Sequence, residues 1–269
     1  MSQRFAIKNN VNGCKNTRLS IQDVAIGDFR TDHLAHMSRY SKIASLMLKE
    51  SRSLKRPLNV LDIGCGELWA LKVLYKAHVC KKASVIGNYL GIDIDDKMIE
   101  KQYAQYKSII DIFGGELTCQ DVTVDPEIDL DYGTVDFFYS TEVIEHMKKE
   151  FVPTWLDHVN DTLRVGSLIY ISTPNHDGSN DKLPEDHIYE WGYQELKEEL
   201  ESRWELVDHT GTFIKLNTFK RANHGLKRVP EDVLEVLETR FDNFWLRNVL
   251  AAFYPEYSNN VAWILRKME

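Results

Sequence analysis

Between residues 57 and 174, short apolar runs alternate with longer amphipathic stretches, and few folds accept that order. The run 57–66, PLNVLDIGCG, reads as a buried strand ending in a tight glycine turn. Segments 89–95 (YLGIDID), 116–123 (ELTCQDVT), 135–141 (VDFFYST) and 167–174 (SLIYISTP) read as four more strands. Segments 67–79, 97–113 and 150–164 carry apolar residues at helical spacing between them. Strands alternating with helices predict an α/β fold, a parallel sheet with helices on both faces.

The flanks extend the pattern. Leu34, Met37, Ile43, Leu46 and Met47 predict a helix over 31–50. A helix is expected over 192–203, and two last strands over 204–213 and 259–267. The stretch 214–258 is expected to be a helical insertion covering the active rim, because it lies between two sheet strands. Residues 1–56 then form an N-terminal arm and helix, and 57–269 one doubly wound domain of seven strands, the last antiparallel.

In such sheets ligands sit beyond the carboxyl ends of the strands, near the point where strand order reverses. Asp62–Gly66, Asp93, Asp121, Glu142 and Asn175 all fall at predicted strand ends. Gly64 and Gly66 let the backbone turn sharply and come close to a ligand, with Cys65 as small filler between them. A dinucleotide site would continue to a third glycine, G-x-G-x-x-G; here Glu67, Leu68 and Trp69 follow. Asp62, two residues before the first glycine, suits an amine better than a pyrophosphate. Asp93, with Ile94 beside it, can accept both hydroxyls of a ribose. Asp121 can accept from an adenine amino group, with the Val122 N–H toward a ring nitrogen. The alternative for each acid is a helix cap or a turn.

VLDIGCG, LGIDID, CQDV, STEVIEH and LRVGSLIYISTPN occur in the order found in class I S-adenosylmethionine-dependent methyltransferases, which the chain resembles over roughly 57–215 and the last strand. The resemblance implies a Rossmann-like fold and S-adenosyl-L-methionine as cofactor. It places Asp62, Gly64, Cys65, Gly66, Asp93, Ile94, Asp121, Val122 and Thr141 around that cofactor. Leu68 departs from the pattern, where many members have a glycine, as does Val165-Gly166-Ser167, where a proline and a glycine pair are usual.

In YSTEVIEHMKKE, Glu142, Glu145 and His146 stand at i, i+3 and i+4, one face of a helix. His187 follows in PEDHIYEW. Two carboxylates and two imidazoles suit Mg²⁺ or Mn²⁺. This set resembles small-RNA 3′-terminal ribose 2′-O-methyltransferases in its Glu-x-x-Glu-His, Thr-Pro-Asn and Asp-His-x-x-Glu-Trp segments, and less closely ubiquinone-pathway O-methyltransferases. That resemblance implies Glu142, Glu145, His146 and His187 as metal ligands. The competing reading makes His146 a metal-free general base, with Glu142 and His187 as its catalytic partners. His33, His36, Arg39 and Tyr40 lie on the first predicted helix, with Arg39 or Tyr40 placed to meet the cofactor carboxylate.

The expected activity is methyl transfer to a hydroxylated acceptor. A small molecule is favoured by the net charge of −8, which opposes broad nucleic-acid binding. RNA 2′-OH or a base is the alternative acceptor, supported by basic clusters at Arg4, Lys8, Lys15 and Arg18 and at Lys215, Lys220, Arg221, Lys227 and Arg228. A cofactor-binding protein without turnover is a further alternative, disfavoured by the intact Glu142, His146 and His187. Aromatic residues of the insertion, Phe241, Phe244, Trp245, Phe253, Tyr254 and Tyr257, are expected in its core. No apolar run spans a bilayer, no secretory leader is evident, and Cys14, Cys65, Cys80 and Cys119 form no regular framework, so a reducing cytoplasm is expected.

Overall fold

A computed structural model describes residues 31–78, 84–131, 133–176 and 182–269. Cys14, Cys80 and the basic arm of residues 4–18 lie outside the described residues, as do the side chains of His33 and His36.

The first helix, α1 (Thr31–Leu54), leads to β1 (Leu58–Ile63), α2 (Trp69–His78), β2 (Ile86–Asp93), α3 (Asp96–Ile112), β3 (Gly115–Cys119) and β4 (Val135–Thr141). Then come α4 (Val152–Thr162), β5 (Leu163–Pro174), α5 (Tyr193–Glu201) and β6 (Glu205–Ile214). The insertion holds α6 (Leu216–Leu226), α7 (Glu231–Arg240) and α8 (Asn243–Phe253), and β7 (Ser258–Arg266) closes the chain. The seven strands form one sheet in the order β3-β2-β1-β4-β5-β7-β6. β7 runs antiparallel to both neighbours, while β1 to β5 pair in parallel. The expected doubly wound, mostly parallel sheet with an antiparallel last strand is therefore the observed one.

All seven residues of β4 are buried, since a central strand with helices on both faces has no wet side and needs no alternation. Phe137 and Tyr139 pack toward Ile43, Met47, Leu71 and Ile110 of α1 to α3. Phe138 packs against Trp155 of α4 on the other face, ring centroids 6.1 Å apart. Local signals set the helix starts. Asp95 caps α3 by accepting from the Lys97 and Met98 amides at 3.0 and 3.1 Å. Asp242 does the same for α8 through Trp245, and a proline occupies the first turn of α4.

Strand order reverses between β1 and β4, so their carboxyl ends frame the crevice. The insertion leaves and re-enters the sheet on the same rim, where Ile214 pairs with Ser258 and Pro174 with Asn260. Its small core gathers Ile214, Phe219, Val229, Leu234, Leu246 and Leu250. Phe241, Trp245 and Phe253 do not join it, contrary to expectation. Trp245 and Phe253 share an outward stripe of α8 with Val249 at i, i+4 and i+8, while Leu246 and Leu250 take the inward side.

Several boundaries differ from expectation. β2 begins at Ile86, three residues before the expected start at residue 89. α2 begins at Trp69 because Leu68 adopts φ +55° and cannot continue into the helix. β3 ends at Cys119, which leaves Asp121 and Val122 in the turn beyond it. β5 takes up residues 163–166, of which 163 and 164 were expected at the end of the preceding helix.

Candidate active site

Two loops meet at the switch point. Gly64 follows β1 with φ +78°, and its amide donates to the Ile92 carbonyl at 2.8 Å. A Cβ built on it would lie 2.3 Å from Val143 Cγ2, in the loop after β4. The two loops thus touch where only a hydrogen fits. Gly66, at φ +45°, donates its amide to Asp93 Oδ2 at 2.8 Å, while Asp93 Oδ1 accepts from the Asp95 amide at 3.0 Å. An ionised carboxylate offers about four acceptor positions. Asp93 therefore steadies the glycine turn and keeps acceptor capacity toward the crevice. Ile94 beside it is exposed.

Asp62 is buried, and Tyr89 Oη donates to its Oδ2 at 2.5 Å. Burial pushes its pKa up to about 7; the hydroxyls of Tyr139 and Tyr89 favour the charged form, and Asp93 opposes it. Tyr89 and Tyr139 were not singled out from the sequence, where they read only as strand residues. Between pH ~4 and ~7 the folded chain holds a proton that the unfolded chain has released, so stability falls as pH rises through this window. The penalty is complete above pH 7 and is worth roughly 4 kcal/mol from the ~3-unit shift. Asp62→Asn is expected to flatten the slope of unfolding free energy between pH 4 and 7, read by urea melts. Parallel wild-type and variant profiles would refute the assignment. Cys65 is buried, and burial raises its thiol pKa, so it stays a neutral thiol and fits the filler role.

Asp121 Oδ1 accepts from the Thr123 amide at 2.9 Å and the Thr123 hydroxyl at 2.6 Å, a side-chain turn of the kind weighed as the alternative. Its Oδ2 makes no hydrogen bond among the described residues. Val122 is buried. Thr141 ends β4, buried, with Tyr40 Oη 3.4 Å from its Oγ1. Burial raises the Tyr40 pKa.

The segment after β4 is not the helix face expected. Only Ile144–His146 turn, as one 3₁₀ turn, and Glu142 sits at φ +55°. The left-handed residue turns Glu142 away from the other two. Asn260 Nδ2 donates to its Oε2 at 2.6 Å, and Arg39 Nη1 lies 3.2 Å from its Oε1. Arg39 thus lies against Glu142. Asn175 also departs from the site: its Nδ2 donates to the Ser258 carbonyl at 3.0 Å and ties the strand end to the insertion.

Glu145, His146 and His187 come together, with one ligand atom from each within 4.8 Å of the others. Glu145 is buried, and Thr173 Oγ1 donates to its Oε2 at 3.0 Å. Burial and then the neighbouring Glu142 push its pKa up to about 8. The backbone assembles the rest. Ile188 and Tyr189 amides donate to the Glu145 carbonyl at 2.8 and 3.1 Å, which brings the 186–190 loop over the turn. His146 Nδ1 lies 2.7 Å from the Asp186 carbonyl, an acceptor only, so Nδ1 carries a proton and, in the neutral ring, Nε2 is the nitrogen with the lone pair. His187 Nδ1 lies 2.7 Å from Glu190 Oε1, which sets the same tautomer. The two rings stand edge to face, centroids 5.2 Å apart. The Asp-His-x-x-Glu spacing carried the His187–Glu190 pair; Thr173 and the Asp186 carbonyl had no signal in the sequence beyond their nearness to marked residues.

A family model described as a methyltransferase domain matches residues 34–225. The chain belongs to that family. It is an S-adenosylmethionine-dependent methyltransferase, and the crevice between β1 and β4 is the methyltransferase's candidate active site. Among solved structures, the small RNA methyltransferase HEN1 aligns with a TM-score of 0.57 at 15% identity, over 87% of this chain and 25% of that one. The [4+2]-cyclase SpnF gives 0.53 at 15% identity, over 85% of this chain and 80% of that one. A Burkholderia thailandensis 1,6-didemethyltoxoflavin-N1-methyltransferase, with 1,6-didemethyltoxoflavin and S-adenosylhomocysteine bound, gives 0.51 at 16% identity, over 89% and 87%. At these identities the likeness bears on the fold alone. No curated protein matches the methyltransferase at a significant level. Among its described residues no helix is long and apolar enough to cross a membrane.

Proposed function

We propose that this methyltransferase moves the methyl group of S-adenosylmethionine to a hydroxyl of its acceptor, assisted by a divalent cation, Mg²⁺ or Mn²⁺. One observation carries the reading. Glu145, His146 and His187 converge while both histidines have Nδ1 bound to an oxygen acceptor. That is how metal-binding imidazoles are usually held, with the outer partner fixing the tautomer and aiming Nε2 at the ion. A divalent ion supplies a lowered pKa for an acceptor hydroxyl. Glu142, from the same loop, is turned away to Arg39 and Asn260 and is not one of the three.

For the donor, the amides of the Gly64–Gly66 turn and the remaining acceptor positions of Asp93 fit a ribose beside a closely approaching backbone. An ammonium beside Asp62 would favour its charged form. Asp121 and Val122 fit the adenine edge. The protein's own task is alignment of acceptor, methyl and sulfur, a positioning role.

The favoured acceptor is a small hydroxylated molecule, consistent with the net charge of −8. A terminal ribose of RNA is the second reading, supported by the Thr173-Pro174-Asn175 and Asp186–Trp191 segments beside Glu145 and His146. The test is calorimetric titration of S-adenosylhomocysteine into EDTA-treated protein, then of Mn²⁺. Two separate sites are expected, with Asp93→Ala weakening the first by ~10-fold or more, the loss of a charge-assisted contact. A protein that binds S-adenosylhomocysteine but no Mn²⁺ would return His146 to the metal-free general-base role.

A further inference from the structure

A cavity of about 80 Å³ lies beneath α1, against β5, β6 and β7. Arg39 and Lys42 reach it from α1, Ser172 from β5, Thr210 and Thr212 from β6 and Asn260 from β7. No carboxylate is among its lining residues. Arg39 is only 4% exposed, and its guanidinium stays protonated at any working pH. Its Nη1 pairs with Glu142 Oε1 at 3.2 Å without the alignment of a hydrogen bond, and the buried Thr212 Oγ1 makes no hydrogen bond among the described residues. A buried hydroxyl left without a partner is uncommon in folded chains, and beside a guanidinium that carries five N–H donors it points to an occupant that accepts. Lys42 reaches only Asp208, at 3.5 Å, and both side chains are substantially exposed, so the pair yields readily to a stronger partner.

We propose that this cavity holds an anionic oxygen group, phosphate or carboxylate, carried by the acceptor; the assignment to the acceptor rests on the methyltransferase reading above. Position separates it from the donor. Gly64, Gly66, Asp93 and Asp121 follow β1, β2 and β3, in the other half of the sheet. The link to the reacting region is Glu142. Asn260 donates to it at 2.6 Å and Ser172 at 3.5 Å, and both also line the cavity. An acceptor anchored by its anion under α1 would extend past Glu142 toward Glu145 and His146. Arg39 and Lys42 then select acceptors by charge, and the hydroxyls of Thr210 and Thr212 supply directional donors.

The test titrates inorganic phosphate, and separately acetate, into the full chain with and without saturating S-adenosylhomocysteine. Wild type is compared with Thr212→Val, which keeps the side-chain shape, and Lys42→Ala, which changes an exposed residue; thermal melts confirm that both fold. One of the two anions is expected to bind alongside S-adenosylhomocysteine, and to bind about tenfold more weakly in each variant, the loss of a single strong contact. S-adenosylhomocysteine affinity should stay within about twofold, since neither residue is near its half of the sheet. The tighter anion names the group as phosphate or carboxylate. Competition between anion and S-adenosylhomocysteine would overturn the proposal by giving Arg39 to the donor. Anion binding that ignores both substitutions, or no anion binding, would also overturn it. Failure of S-adenosylhomocysteine itself to bind would instead count against the methyltransferase reading, because the anion arm is read without it.

Discussion

Glu145→Ala is expected to lower divalent-dependent methyl transfer by about 10²- to 10⁴-fold, the range usual for losing control of the acceptor's proton. The carboxylate is buried, hydrogen-bonded by Thr173 and within 4.8 Å of both imidazoles, so nothing nearby replaces it. S-adenosylhomocysteine affinity should hold, because Glu145 lies beyond the loops that carry Gly64, Gly66 and Asp93. Folding should hold as well. Burial already penalises the charged form, and its removal relieves repulsion with Glu142. Glu145→Gln keeps the shape and the Thr173 contact and should lose Mn²⁺ binding all the same. Equal wild-type rates in EDTA and in Mn²⁺ would sink the metal assignment.

Gly64→Ala is expected to be the most damaging single methyl in the chain's glycine turn. At φ +78° an alanine is strained, and its Cβ overlaps Val143 Cγ2, whose β-branched side chain has little freedom to rotate away. The strain alone is worth about 1–3 kcal/mol, several degrees of Tm for a chain of this size. The displacement reaches farther, because Val143 leads directly into the Ile144–His146 turn. Loss of both S-adenosylhomocysteine and Mn²⁺ binding is the expected calorimetric result. Gly66→Ala provides the contrast. Its Cβ would meet no atom closer than 3.9 Å, so only the conformational cost applies. If the two variants melt and bind alike, the contact between the two loops is not what holds the crevice in shape.

Much of the site could be read along the chain, and the reason is local. A glycine turn, an acid at a strand end and a histidine directly after an acid are short-range patterns with a chemical meaning at fixed spacing. Leu68 shows the limit of that reading. The missing third glycine was visible, but the structure meets it with a buried leucine at φ +55° and starts the helix at Trp69, two residues later than the spacing predicts. Glu142 shows it again. Spacing alone put it on one helical face with Glu145 and His146, and a single left-handed residue sends it to Arg39 and Asn260 instead.

The sequence by itself determined the alternation of strands and helices, and with it the parallel sheet, because apolar periodicity is a property of neighbouring residues. It also marked Asp93, Glu145, His146 and His187. Tertiary structure alone decided which of these meet. His187 joins Glu145 only because the Ile188 and Tyr189 amides bind the Glu145 carbonyl, across more than forty positions of chain. Asp62 acquires its raised pKa from burial in the assembled sheet, against which the hydroxyls of Tyr139 and Tyr89 on the two neighbouring strands favour the charged form. The cavity under α1 draws on a helix and three strands from both ends of the sequence. Such contacts depend on strand order and register, which no window of neighbouring residues encodes.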